Sequence, residues 1–279
     1  MKTTAAAIKQ DPPPRPLRLG ALLPPWARNL ALLAALLAGW QLASSVVLPR
    51  IDPQIGVLLP GPATVAATLA GQLASGELAL HLAASLKREF SAFLLASLAI
   101  PVGIAMGWRH SIHAQLYPVL EVLRPIPPLA WIPLSILWFG LGEVQNQFII
   151  FLGLVFPILL NTIEGVHRVD RNLIRAARSL GAGEWKVLRR VVIPAALPQI
   201  VVGVRVGLGT GWMALVAAEL VGANSGLGFM INDARSLLRT DIVVGGMVAI
   251  GLAGLAIDLG LRALARRLLP WSPAVAKGG

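Results

Sequence analysis

Stretches of apolar residues long enough to cross a membrane recur along the chain, and nothing constrains its fold more. A helix needs roughly 20 such residues to span about 30 Å of hydrocarbon. Six candidates meet that length: residues 29–48, 90–108, 118–139, 147–163, 198–221 and 242–264. The composition agrees, at 56% hydrophobic and 13% charged residues with a mean hydropathy of +0.73, where a soluble domain carries about 25% charge. The chain is therefore predicted to be an all-α polytopic membrane protein with six transmembrane helices. An even number of spans puts both termini on one side.

Charge placement gives the orientation. A net charge of +11 invites a nucleic-acid reading, but membrane proteins concentrate lysine and arginine in cytoplasmic loops. With the N-terminus inside, 17 of the 24 lysines and arginines lie in the cytoplasm and five outside. Both termini are accordingly predicted to be cytoplasmic, with no role in binding nucleic acid. Residues 1–28 read as a mobile, proline-rich cytoplasmic tail. Residues 29–48 read as a retained span, longer than the core of a signal peptide. Residues 49–81 form an extracytoplasmic segment with a turn at Pro60-Gly61-Pro62 and a helix expected over 69–86, and 272–279 form a second cytoplasmic tail.

Several chemistries are excluded by what the chain lacks. It has no cysteine, and none of its lysines follows a glycine-rich phosphate loop. The four histidines form no ligand cluster and are expected in solvated loops. No metal site, catalytic constellation or cofactor site is predicted.

Ionisable groups inside spans are costly and count as functional candidates by default. Glu121 and Arg124, three residues apart, are read either as a structural pair near the cytoplasmic end or as part of a pathway. Arg205 either snorkels to the cytoplasmic interface, bridges to Glu121, or attracts an anion. Glu219 is expected to cap a helix or pair with Arg235 or Arg239, and Asp258 to pair with Arg262. The run Arg124-Pro125-Ile126-Pro127-Pro128 removes amide donors where no water replaces them. It predicts a kinked or discontinuous helix, lining a translocation path or merely bent. Arg124, Pro125, Pro127, Pro128, Arg205 and Glu219 are thus the pathway candidates. Residues 222–229 are read as an outward-facing glycine-rich loop, followed by a short re-entrant or surface helix.

Between the fourth and fifth spans lies a charged loop, 164–194. Asp170 is a plausible N-cap, and Leu173, Ala177 and Leu180 recur on one helical face. Gly181 and Gly183 are placed to end the helix in left-handed conformation. Glu184 opens a second short helix with Trp185 on its apolar side, and Pro194 and Pro198 are expected to interrupt it before the fifth span. Such a helical hairpin suits a groove on a partner; the bland alternative is an interfacial helix on anionic lipid.

The residues Arg175-Ala176-Ala177, then Gly181 after three more, then Val191, Ile193 and Pro194, resemble the cytoplasmic EAA loop of ABC importer permeases. That pattern is E-A-A, three residues, G, nine residues, I-x-L-P, and Arg175 departs from it. Further blocks (PVLEVLRPIPPLAWIPLSILWFG, WMALVAAELVGANSGLGF and INDARSLLRTD) are similar to permeases of the taurine, aliphatic sulfonate, nitrate and bicarbonate importer group. The resemblance covers about 82–271. It implies a type I (MetI-like) permease core in the inner membrane, paired with a second copy, with two ATP-binding-cassette ATPases and with an extracytoplasmic substrate-binding protein. ATP and magnesium would be bound by the ATPases, and the cargo would be a small anion. Arg175, Ala176, Ala177, Leu180, Gly181, Ala182, Glu184 and Trp185 would form the ATPase-coupling surface. A secondary ion-coupled transporter is the alternative.

Overall fold

The computed structural model describes residues 24–51 and 58–271. Most of the expected N-terminal tail and all of the 272–279 tail fall outside them. Two units are distinguished, with the division after Gly56, and each is described by itself.

In the first unit α1 (Pro25–Leu42) begins on a proline, which lacks the amide that a first turn leaves unpaired anyway. It continues through a π-turn, Ala43–Val47, to Leu48–Ile51. The Ser44 and Ser45 hydroxyls donate back to the Gln41 carbonyl at 3.1 and 2.7 Å, which keeps their polar groups satisfied within an apolar helix. The span runs over Ala27–Ile51, longer at both ends than the sequence suggests.

The second unit is entirely helical among its described residues. It comprises α2 (Pro62–Ser75), α3 (Glu77–Ala96), α4 (Ala99–Trp108), α5 (His110–Leu123), α6 (Ile132–Phe139) and α7 (Glu143–His167). After these come α8 (Arg171–Ser179), α9 (Glu184–Val187), α10 (Ile193–Gly222), α11 (Leu227–Ser236) and α12 (Thr240–Leu268). The helix expected over 69–86 is two helices parted at Gly76, whose φ of +83° ends α2 in left-handed conformation. The second span begins at Glu77, not near residue 90, because α3 and α4 join into one helix to Trp108. Arg88 and Glu89 therefore lie inside it. Across the described residues of both units five helices suffice to cross a membrane, and six if the bent pair His110–Leu123 and Pro128–Phe139 counts as one.

The core lies where α7 packs along α10, with α3 and α4 against α7. Ala92, Ala96, Met106, Ile150, Leu154, Ile158 and Leu215 are buried there. Gly203, Gly207 and Gly211 recur every four residues along the α10 face that meets α7, so the two backbones approach closely. A Cβ on Gly203 would stand 2.6 Å from Asn161 Cβ, and one on Gly207 2.9 Å from Ile158 Cγ1. Pro157 inside α7 has no amide to offer the Gly153 carbonyl. The Thr210 hydroxyl of α10 donates to that carbonyl instead, at 2.7 Å. Further along α7, Gln199 Nε2 donates to Asn161 Oδ1 at 2.8 Å. A medium without water demands such substitutes.

Pro194 and Pro198 do not interrupt the chain before the fifth span. Glu184–Gly222 is one helix of 39 residues. It contains a π-turn, Leu188–Val192, in which the Ile193 amide reaches back to the Leu188 carbonyl. The widened turn makes room for the Pro194 ring, which would otherwise crowd the carbonyl four residues back.

Candidate functional site

The loop after α7 folds as the helix–turn–helix its sequence suggests. Asp170 Oδ1 accepts from the Asn172 amide at 2.8 Å and caps α8. Gly181, at φ +79°, ends it. The Ala182 amide donates to the Ala177 carbonyl at 3.1 Å and the Gly181 amide to the Arg178 carbonyl at 2.9 Å, the paired bonds of a Schellman end. Gly183 is not left-handed. It is extended (φ −67°, ψ 161°) and leads into α9. Arg178 and Glu184 pair across the turn at 2.9 Å, an exposed pair that contributes up to about 1 kcal/mol.

The face expected from Leu173, Ala177 and Leu180 is divided. Ile174, Ala177 and Ala182 pack inward on Val169, Val187, Val192 and Ala196. Leu180 is 88% exposed and Trp185 71%, with Leu173 beside them at 52%. Arg175, Ala176, Gly181 and Glu184 are exposed too, so the hairpin presents an outer surface of mixed apolar and charged residues carried on a partly buried inner one.

The proline-rich run breaks the third span. Pro127 is extended (φ −63°, ψ 144°), as a residue preceding proline tends to be, and the helices on either side are bent by 81°. Arg124 and Glu121 do not pair. The Arg124 side chain is exposed and has neither hydrogen bond nor ion pair among the described residues. Nor does it lie near an end of the span. It borders a cavity of about 340 Å³ with Ile126, Pro128, Gly153, Phe156, Asn161, Val206 and Thr210, beside the middle of α7 and α10. Glu121 borders an adjoining cavity of about 310 Å³ with Tyr117, Leu120, Arg124 and Leu160. Pro125 and Pro127 are exposed at the break.

The other charged candidates are paired with neighbouring helices. Arg205 neither snorkels freely nor reaches Glu121; its guanidinium pairs with Asp258 of α12. Asp258 also takes Arg262 at 2.8 Å, as the spacing suggests. Glu219 meets neither Arg235 nor Arg239; Arg239 pairs with Asp241 at 2.9 Å, which raises the pKa of the guanidinium.

Instead Glu219, 1% exposed, accepts from Arg88 Nη1 at 2.8 Å, from the Ser85 hydroxyl at 2.8 Å and from the Gly228 amide at 2.9 Å. Arg88 also donates to the Ser225 carbonyl at 2.6 Å and pairs with Glu143 through Nε at 2.8 Å and through Nη2. Gly226 and Gly228 of the 222–229 segment are thus buried against this carboxylate, while Asn224 is exposed. A Cβ on Gly226, at φ +113°, would stand 2.2 Å from Glu219 Oε1. His81 accepts from the Gly226 amide at 3.1 Å. The histidines are helical residues, not loop residues, and His113 stacks on Tyr117 at 4.5 Å. Ser85 and Arg88 escaped the sequence reading; the signal available was a charged pair, Arg88-Glu89, at the edge of an apolar run.

Known proteins are similar to this chain in sequence and in fold. At 44% identity the chain aligns with the taurine transport system permease protein TauC of Escherichia coli, over 87% of this chain and 89% of TauC. It is 38% identical to the putative aliphatic sulfonates transport permease protein SsuC of Bacillus subtilis, over 97% and 94% of the two chains. The fold is similar to that of a chain from the inward-facing MetNI methionine ABC transporter, with a TM-score of 0.52 and 22% identity, over 64% of this chain and 92% of that one. Residues 99–271 match the family described as the binding-protein-dependent transport system inner membrane component. With its apolar helices, glycine-lined core and helical hairpin between the fourth and fifth spans, the chain belongs to that family of multi-pass ABC permease subunits.

Proposed function

We propose that this chain is the translocation subunit of an ATP-driven importer of a small organic anion of the sulfonate type, and that it works as a pair with a second copy of itself. The observation that carries this is the helical hairpin. Leu173, Leu180 and Trp185 are exposed on elements whose inner faces are partly buried against the core, and α9 runs without interruption into α10. That combination suits a rigid knob seated in an ATPase groove, with Ala176 and Gly181 keeping its surface low. ATP and magnesium are then held by the two ATPases, and an extracytoplasmic binding protein delivers the cargo. Residues 164–194, both tails and both termini lie in the cytoplasm, as the lysine and arginine distribution favours. TauC and SsuC, named for taurine and aliphatic sulfonates, support the substrate class.

Purification of the chain from its native membrane with partners retained tests the reading. A stoichiometric ATPase is expected. A chain that transports without one, driven by protons or sodium, would instead be a secondary carrier.

A further inference from the structure

Arg124 is a charge in the broken third span whose side chain has no partner among the described residues. Other arginines within the apolar helices are paired, the buried Arg88 with Glu143 and Glu219 and the exposed Arg205 with Asp258, whereas Arg124 and Glu121 are exposed and unpaired. A guanidinium without a partner among spanning helices costs several kcal/mol unless something anionic or wet meets it. The proline break holds Arg124 against a cavity of about 340 Å³, near the small end of the roughly 300–1,000 Å³ typical of ligand sites. The walls are mainly hydrocarbon, from Pro128, Phe156, Leu160 and Val206. A hydrated inorganic anion would exchange its water shell for one guanidinium and an apolar lining. An organic acid instead sets two oxygens on the planar fork of the arginine and its carbons on Phe156 and Leu160.

Glu121 narrows the choice. It lies one turn back on α5 in the adjoining cavity of about 310 Å³, which shares Arg124 and Leu160 with the first. It too has no partner among the described residues. A lone carboxylate beside an anion site repels a simple anion but attracts an ammonium on the same molecule.

We propose that the two joined cavities form a binding site within the permease for a small zwitterionic organic acid, with the acid group on Arg124 and the ammonium on Glu121. This rests on the importer function above and names the substrate class. Two unpaired, opposite charges one helical turn apart, facing joined cavities, are what such a ligand requires.

The test uses the intact permease–ATPase complex in lipid nanodiscs without its binding protein. It is titrated with taurine, ethanesulfonate or nitrate and followed by calorimetry. Saturable taurine binding is expected, with ethanesulfonate weaker by about tenfold or more, the size of one charge-assisted hydrogen bond, and no nitrate binding. Arg124→Ala should abolish binding and Arg124→Lys retain part of it. Glu121→Gln should remove the preference for taurine over ethanesulfonate. Thermal unfolding of each variant should match the parent complex. Nitrate binding as tightly as taurine, or Arg124→Ala binding like the parent, would overturn the site. So would absence of binding in a complex that still imports, an outcome that leaves the importer reading intact. Failure of any ATPase to accompany the chain would overturn the importer reading itself.

Discussion

Arg88 Nη1 donates to Glu219 Oε1 at 2.8 Å between side chains 4% and 0% exposed, and this bond joins α3 to α10 across 131 residues of sequence. Glu219 is hydrogen-bonded on both oxygens, so the pair meets the condition under which a buried ion pair holds together. Removing one partner leaves the other charged and enclosed.

Glu219→Leu should accordingly destabilise the fold by about 3–5 kcal/mol. Glu89, one position along from Arg88, offers the contrast. It is 3% exposed and neither carboxylate oxygen has a hydrogen-bond partner. Glu89→Leu should leave stability unchanged or raise it, because it removes a buried polar group that gains nothing from its surroundings. Thermal unfolding of both variants in one detergent reads the difference. Equal losses would show that Glu89 contributes as Glu219 does.

A methyl group distinguishes the packed face of α10 from its open one. Gly203→Ala places a carbon 2.6 Å from Asn161 Cβ and 3.2 Å from the Pro157 carbonyl, so α7 and α10 must part, at a cost of about 1–3 kcal/mol. Gly209 has nothing within 4 Å of the same position, and Gly209→Ala should stabilise by about 0.5–1 kcal/mol through helix propensity. Opposite shifts in unfolding temperature are the expected result.

Thr210→Val keeps the shape of the side chain and removes its hydroxyl. The Gly153 carbonyl, left without an amide by Pro157, then loses its donor. A loss of about 1–3 kcal/mol is expected. In the double variant Pro157→Ala, Thr210→Val most of it should return, since the helix amide is restored.

Gly181→Val tests the hairpin without touching the spans. No atom lies within 4 Å of the new Cβ, so the whole penalty is backbone strain at φ +79°, about 1–2 kcal/mol. Insertion and the unfolding temperature of the helical core should stay near the parent values while ATPase capture in pull-down falls. Gly181→Asn should recover most of the capture, because asparagine tolerates this conformation better than other side chains.

The sequence conveyed local relationships faithfully. The presence of the apolar helices, the Asp170 cap, the turn at Gly181 and the Asp258–Arg262 pair all depend on residues a few positions apart, where helical spacing decides what meets what. Arg88 with Glu219, and Arg205 with Asp258, depend on which helices become neighbours, and no spacing rule contains that. The error over Pro194 and Pro198 has another origin. Proline was read as a stop, but a π-turn just upstream absorbs the ring, and nothing in LRRVV announces one. The separation of Glu121 and Arg124 allows either a pair or a place along a pathway; the cavities beside the break are a property of the assembled helices.

The uninterrupted helix from Glu184 to Gly222 has a mechanical consequence. At about 1.5 Å per residue, its 39 residues make a rod roughly 58 Å long. One end holds Trp185 on the exposed hairpin and the other holds Glu219 in its socket of Ser85, Arg88 and Gly228. A pivot of about 5° at the hairpin would swing the far tip by about 5 Å over that length, more than enough to pull a carboxylate from its hydrogen bonds. The π-turn near the base is where such a lever can twist without snapping its ladder. If the hairpin were moved as a rigid body, the same rod would strain the hydrogen bonds of Glu219 at its other end.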